Sequence, residues 1–74
     1  MKLTELEIKD SAKVVSLDNL AADYVQRLMD VGLYKDAEVI LLNRLSFGNL
    51  YLIEVDNIEL CIREKDAKLI EVHK

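Results

Sequence analysis

The chain has 74 residues, a formal net charge of -4 from 10 basic and 14 acidic side chains, and a hydrophobic fraction of 51%. This length predicts a single domain with no room for a separate catalytic domain, and this apolar content excludes a disordered chain. The acidic balance argues against nucleic acid as a partner, because a duplex-binding module needs a basic face.

The first nine residues are predicted to form a flap that closes the core, with Leu3 and Leu6 directed inward. Thr4 and Glu7 have the spacing of a helix capping box. The segment is long enough for only one helical turn, so we assign it a structural role.

A turn, a strand and a helix are predicted next. Residues 12–17 follow the turn and contain adjacent β-branched valines, which is typical of a strand. Asp18 and Asn19 are both favourable N-cap residues. Beyond them, apolar residues recur at helical spacing at Leu20, Tyr24, Val25, Leu28 and Met29. This pattern predicts one amphipathic helix of about three turns.

The end of this helix is the best-specified local feature of the sequence. Gly32 can adopt the left-handed conformation that follows a helix without a Cβ penalty. Leu33 then stands where a Schellman motif packs a hydrophobic residue back on the helix, here on Leu28. We therefore assign structural roles to Gly32 and Leu28.

Everything after Gly32 is predicted to be β-structure. Residues 38–45 are apolar on both faces, so this strand is covered on both sides or bends so that each half faces the core. A loop around Gly48 leads to a strand over residues 50–55, and Asp56-Asn57 forms a two-residue turn that tolerates positive φ. The inward side chains of the third strand are predicted to be Tyr51, Ile53 and Val55.

Two further strands complete the chain. Residues 58–62 form the first of them, and a charged, solvated turn at residues 63–66 separates it from the second, at residues 68–72. The inward side chains are predicted to be Ile58, Leu60, Ile62, Ile70 and Val72. A strand, a helix and four closely connected strands predict a mainly β fold, a small, partly open, five-stranded barrel of the SH3-like class.

Three segments carry a resemblance to a known family. They are the opening Leu3-Thr4-Glu5-Leu6, the helix end Leu28-Met29-Asp30-Val31-Gly32-Leu33 with Ala37-Glu38-Val39, and the closing Leu60-Cys61-Ile62-Arg63-Glu64-Lys65-Asp66-Ala67-Lys68-Leu69-Ile70-Glu71-Val72. In order and spacing they resemble the FeoA family, ferrous iron transport protein A, over essentially the whole chain. The chain departs from the family's glycine-rich turns at Asp10, Asp36 and Asn49, and Asp and Asn can replace glycine at left-handed positions.

The resemblance implies an SH3-like barrel and a cytoplasmic accessory role in ferrous iron uptake. The implied partner is the cytosolic GTP-binding domain of the membrane transporter FeoB, which would recruit the protein to the inner face of the membrane. A similar barrel forms the C-terminal domain of iron-dependent repressors, but 74 residues leave no room for their DNA-binding helices.

The residues predict no catalysis, no cofactor and no metal site. The only histidine, His73, and the only cysteine, Cys61, are far apart in the sequence, and scattered carboxylates do not make a ligand set. One cysteine excludes an internal disulfide and suits a reducing cytosol. The longest apolar run, residues 39–42, is far short of the ~20 residues of a membrane helix, and no signal peptide is predicted.

Partner binding is the remaining chemistry. Tyr34 and Phe47 lie outside the predicted core pattern, and each is either a plug over the barrel end or an exposed anchor for a partner. The predicted partner-binding residues are Leu33, Tyr34, Lys35, Asp36, Ser46, Phe47, Gly48 and Asn49. Arg27 and Arg63 form ion pairs at the rim of this surface or are plain surface charges.

The leading hypothesis is a non-enzymatic module that binds the transporter's cytosolic domain. One alternative is a self-associating domain in which residues 39–42 pair across a homodimer interface. Another is a domain that senses or carries a transition metal.

Overall fold

The computed structural model describes all of residues 1–74. It contains the five strands β1 (Ser11–Ser16), β2 (Glu38–Leu45), β3 (Leu50–Val55), β4 (Ile58–Arg63) and β5 (Glu71–His73). The helices are α1 (Ala22–Asp30) and α2 (Glu64–Ala67), and single 3-10 turns lie at Leu3–Glu5 and Ser46–Gly48.

The strands form one antiparallel sheet in the spatial order β4-β3-β2-β1-β5. Its register shifts between Val14 and Ser16 in β1 and between Leu41 and Asn43 in β2. Such bulges bend a strand and increase its twist, which curls the sheet around its apolar face. The predicted mainly β, five-stranded, partly open fold with one helix between its first two strands is confirmed.

Strand β2 lies at the centre of the sheet. Val39 and Leu41 are fully buried, while Ile40 and Leu42 are half-buried, and the bulge follows directly. The structure therefore supports the bending alternative for this doubly apolar strand. Both edges of β2 are paired within the chain, to β1 and to β3, so the predicted pairing of residues 39–42 across a homodimer is wrong.

The predicted end of α1 is confirmed. Gly32 has a φ of 100°, and its N–H donates to the Met29 carbonyl at 3.0 Å. The Leu33 N–H donates to the Leu28 carbonyl at 2.9 Å. These two bonds are those of a Schellman motif. They turn Leu33 into the core, where it is 1% exposed beside the buried Leu28.

The predicted start of α1 is wrong. The N-cap is Ala21, which has no side-chain capping bond, and not Asp18 or Asn19. The reason is a tight turn before the helix, in which the Leu20 N–H donates to the Leu17 carbonyl at 3.1 Å. Burying both leucines there delays the first helical residue to Ala22.

The N-terminal segment closes the sheet beside β5, as predicted for a flap. Leu3 and Leu6 are buried, and the Leu3 N–H donates to the Ile70 carbonyl at 2.9 Å. The predicted capping box of Thr4 and Glu7 is wrong, because the 3-10 turn begins earlier and Glu5 instead accepts a bond from the Lys2 N–H.

The hairpin of β3 and β4 turns at Asp56-Asn57, whose φ values of 52° and 65° confirm the predicted turn. The third strand buries Tyr51, Ile53 and Val55 as predicted. On β4 only Ile62 is buried, Leu60 is half-buried and Ile58 is 45% exposed. The prediction that Ile58 lies inward is wrong, because β4 is an edge strand with a neighbouring strand on one side only.

The charged segment after β4 forms the short helix α2 and not a solvated turn. One helical turn carries Ala67 into the core, where it is fully buried. Strand β5 begins only at Glu71, three residues later than predicted, while Ile70 and Val72 lie inward as predicted. Local charge alternation indicated exposure of residues 63–66 but gave no sign that the next residue anchors the segment.

The predicted glycine substitutes are confirmed at one of three positions. Asp36 has a φ of 75°. Near Asp10 the left-handed residue is Lys9, with a φ of 78°, while the Asp10 carboxylate accepts a bond from the Glu7 N–H at 3.0 Å. Asn49 has an ordinary φ of -82°.

Candidate partner-binding surface

The loop between β2 and β3 presents one aromatic side chain entirely to solvent. Phe47 is 108% exposed relative to a free reference state. Its backbone is left-handed, with φ 60° and ψ 34°, and its neighbours Ser46 and Gly48 have φ values of 53° and 88°. A left-handed conformation costs about 1–2 kcal/mol for a residue with a Cβ. Phe47 is thus exposed to solvent and does not plug the barrel end.

The loop is nevertheless fixed at its far end. The Asn49 N–H donates to the Ser46 carbonyl at 3.2 Å, and the Asn49 carbonyl accepts from the Glu64 N–H at 2.8 Å. The second bond ties the loop to the start of α2. The phenyl ring is therefore presented from a defined backbone turn.

The segment after α1 presents the second aromatic. Tyr34 is 49% exposed, and its carbonyl accepts from the Ala37 N–H at 3.0 Å. The Asp36 N–H donates to the Val14 carbonyl at 2.8 Å, which joins the turn to β1. Leu33, predicted to belong to the surface, points into the core and offers no side chain to a partner.

A shallow apolar depression of about 310 Å³ adjoins Tyr34. Among its lining residues, Val15 is 42% exposed and Met29 is 46% exposed. Met29 was predicted on the inward stripe of α1, but it lies at the edge of that stripe. Exposed apolar side chains gathered around an aromatic are typical of a protein-binding surface.

The two predicted segments lie at opposite ends of β2 and do not form one continuous patch. Residues 33–36 precede this strand, and residues 46–49 follow it. A strand of eight residues spans up to about 23 Å at ~3.3 Å per residue, which is close to the longest dimension of the molecule, 27 Å. One partner would have to reach along the sheet to contact both.

A larger cleft of about 500 Å³ lies between α1, β4 and α2. Tyr24 and Arg27 come from α1, Cys61 and Arg63 from β4, and Lys65 from α2. The Arg27 guanidinium lies 5.8 Å from the centre of the Tyr24 ring. The two arginines were predicted only as rim charges, because residues 27 and 63 share no spacing that predicts their proximity.

The two arginines of the cleft form few ion pairs. Arg27 lies 4.0 Å from Asp23 one helical turn away, with both side chains largely exposed, and Arg63 forms no ion pair. Burial, together with the nearby Asp66 carboxylate, raises the pKa of Tyr24. Tyr24 therefore stays neutral at physiological pH.

The strongest electrostatic contacts lie away from these surfaces, at the N-terminal flap. Lys2 Nζ and the Met1 amino group donate to the Glu71 carboxylate at 2.8 Å and 2.7 Å. These bonds lower the pKa of Glu71 from 4.5 to about 2. At Asp10, the bond from the Glu7 N–H and the ammonium of Lys74 lower the pKa of the carboxylate.

All 18 buried residues are apolar. No three His, Cys, Asp or Glu side chains come close enough together to hold a metal ion, and His73 and Cys61 are both exposed. None of the helices has the length and hydrophobicity to cross a membrane.

Comparison with known proteins gives one consistent match. A family model described as the FeoA domain matches residues 1–74. The solution structure of the FeoA protein from Chlorobium tepidum is 33% identical, with a TM-score of 0.93, and the alignment covers 99% of this chain and 69% of that one. A search of curated protein sequences gave no significant match.

A zinc-complexed FeoA from Stenotrophomonas maltophilia, described as a procaryotic SH3 domain protein, is 32% identical. Its TM-score is 0.78, with 97% of this chain and 88% of that one covered. A manganese-dependent transcriptional repressor shares the fold at 16% identity and a TM-score of 0.85, with 99% of this chain but only 40% of the repressor covered. The SH3-like class predicted from the strand pattern is confirmed by the FeoA structures.

Proposed function

This chain belongs to the FeoA family, and from that premise we propose that it acts without catalysis, as a cytoplasmic binding module for the FeoB iron transporter. FeoA proteins are associated with ferrous iron uptake. The proposed partner is the transporter's cytosolic GTP-binding domain, which would bring the protein to the inner face of the membrane.

The observation that carries this proposal is the exposed Phe47 on a left-handed loop. A phenyl ring in water contributes nothing to the stability of the isolated domain, and an asparagine or glycine would fit its backbone better. Strained residues that present side chains to solvent cluster at binding sites. Aromatic side chains also supply a large share of binding energy at protein interfaces.

Tyr34 and its depression provide a second contact at the other end of β2. A partner that touches both ends would lie along the sheet, with Lys35 and Asp36 at the rim of one end and Ser46, Gly48 and Asn49 framing Phe47 at the other. By binding one conformation of the transporter domain more tightly than another, the module would shift the population toward that conformation.

The test is the affinity of the full chain for the purified GTP-binding domain of the transporter. We expect Phe47→Ala to weaken binding by about tenfold or more, and Tyr34→Ala to weaken it by less, because Phe47 exposes the larger apolar surface. Ile8→Ala is the matched control, since Ile8 is 45% exposed and lies outside both segments. Unchanged affinity in both aromatic variants, with their fold intact, would reject this surface.

A further inference from the structure

Strand β4 has an unpaired edge. It pairs only with β3, whereas the other outer strand, β5, is covered by the N-terminal flap. The Val72 N–H, for example, donates to the Met1 carbonyl at 2.7 Å. An uncovered edge presents free N–H and C=O groups and is a template for another extended strand.

The turn at Asp56-Asn57 decides which backbone groups are free. A two-residue hairpin closes on a hydrogen-bonded pair, here Val55 and Ile58. The pattern alternates, so Glu59, Cys61 and Arg63 direct their N–H groups away from β3. None of these three residues takes part in a backbone hydrogen bond outside the regular strands and helices.

The free edge adjoins the cleft of about 500 Å³, because Cys61 and Arg63 line it. Its apolar lining includes Leu20 and Leu69, and Tyr24 of α1 stands beside them. This volume lies in the range of clefts that bind ligands in proteins.

The charges of the cleft oppose those of the rest of the molecule. Arg27, Arg63 and Lys65 contribute three positive charges and Asp66 one negative charge, a sum of +2, in a chain of net charge -4. Arg63 and Lys65 form no ion pair within the chain. A segment with acidic side chains would complement this local field.

We propose that the cleft binds an extended peptide segment carrying acidic side chains, which adds to the sheet as a strand beside β4. The backbone of the segment bonds to Glu59, Cys61 and Arg63, while its carboxylates face Arg27, Arg63 and Lys65. Main-chain bonds supply affinity and the side chains supply specificity, as in other strand additions. The proposal does not depend on which protein carries the segment.

The test titrates a six-residue peptide of alternating glutamate and valine into the ¹⁵N-labelled full chain. We expect amide shifts centred on Glu59, Cys61 and Arg63, weaker binding as salt rises, and slower alkylation of the exposed Cys61 thiol. A lysine–valine peptide of the same length tests the charge requirement. A glutamate–valine peptide N-methylated at alternate amides tests the strand pairing, and we expect neither to bind.

A pair of charge reversals tests the location. Arg63→Glu should weaken binding of the glutamate–valine peptide by about tenfold. Lys13→Glu makes the same change of charge at an exposed residue of β1 outside the cleft, and should weaken peptide binding by no more than about twofold. Circular dichroism of both variants separates loss of binding from loss of fold.

Several outcomes would overturn the proposal. They are equal binding of the glutamate and lysine peptides, amide shifts away from β4, or equal effects of the two reversals. A dimer in light scattering, together with β4 amides that shift on dilution, would overturn it as well, because the edge would then belong to a second copy. Intact peptide binding in Phe47→Ala, whatever that variant does to transporter binding, would support the proposal, because the cleft would then act independently of the loop that carries Phe47.

Discussion

Two turns of this molecule have left-handed backbone, but one directs a side chain into the core and the other directs a side chain into solvent. At the end of α1, Gly32 with a φ of 100° turns Leu33 into the core. After β2, Ser46, Phe47 and Gly48 all have positive φ, and the central side chain points into water. The first turn is stabilised by two Schellman hydrogen bonds and a buried leucine, whereas the second gains one bond across its turn.

The two turns differ in whether burial of a side chain offsets the strain of the left-handed backbone. The strain of a left-handed residue is on the order of 1–2 kcal/mol, and burying a leucine contributes about 1.5–3 kcal/mol. At Gly32 and Leu33 the burial exceeds any strain, and glycine reduces the strain further. At Phe47 nothing within the chain offsets it, so the isolated domain gives no reason for a phenylalanine there.

The largest effect should come from removing the buried leucine of the first turn. Leu33→Ala should lower the free energy of unfolding by about 2–5 kcal/mol, because it deletes side-chain packing and leaves a cavity. Urea denaturation measures this loss. The same change at the half-buried Leu52 should cost less. Equal losses would show that the first turn is not held by burial.

The next effect concerns the backbone of both turns. Gly32→Ala should cost about 1–2 kcal/mol through strain, because the added Cβ would only touch the Asp56 Cβ at an ordinary 3.8 Å. Gly48→Ala has open space around it and a φ of 88°, so its loss should be similar. Thermal unfolding of the two variants checks this. A much smaller loss at one glycine would mean that its turn rearranges.

A smaller effect of opposite sign should appear at Phe47. Phe47→Asn should be more stable than Phe47→Ala by about 0.5–1 kcal/mol, because asparagine tolerates the left-handed region. Neither variant should be less stable than the original chain by more than about 0.5 kcal/mol. Both should bind the transporter domain about tenfold more weakly, or weaker still. A large loss of stability in both variants would show that Phe47 stabilises the fold, and the two turns would then not differ in this respect.

The smallest effect tests the N-terminal flap, which lies outside both turns. The folded-state pKa of Glu71 is lowered from 4.5 to about 2, so its stabilising effect is fully present above pH 4.5 and is lost as the pH falls toward 2. Glu71→Gln should lower the melting temperature slightly at pH 7 and much less near pH 2. A constant difference across this range would exclude the carboxylate charge as the cause.

Local signals in the sequence predicted the parts of the fold that depend on neighbouring residues. Gly32 and Leu33 were predicted because a Schellman motif needs only six consecutive residues. Asp56-Asn57 was predicted because a two-residue hairpin demands positive φ. The alternation at Tyr51, Ile53 and Val55 predicted the buried face of β3.

Most of the wrong predictions concern features that depend on packing and on the order of the strands. The helix begins at Ala22 because the turn before it buries Leu17 and Leu20, and no capping rule includes that burial. Ile58 is exposed because β4 is an edge, which depends on the order of strands. Residues 34 and 47 were grouped into one surface although β2 holds them apart.

The sequence by itself determined the five strands, the helix with its glycine end, the apolar core and the family, because periodicity, turn chemistry and ordered motifs are local properties of the chain. Only the tertiary structure decided which edge of the sheet stays unpaired, that Phe47 is exposed to solvent, and that Arg27, Arg63 and Lys65 line one cleft. Those properties arise when segments distant in sequence pack together, since burial and charge proximity depend on the strand order and not on spacing along the chain.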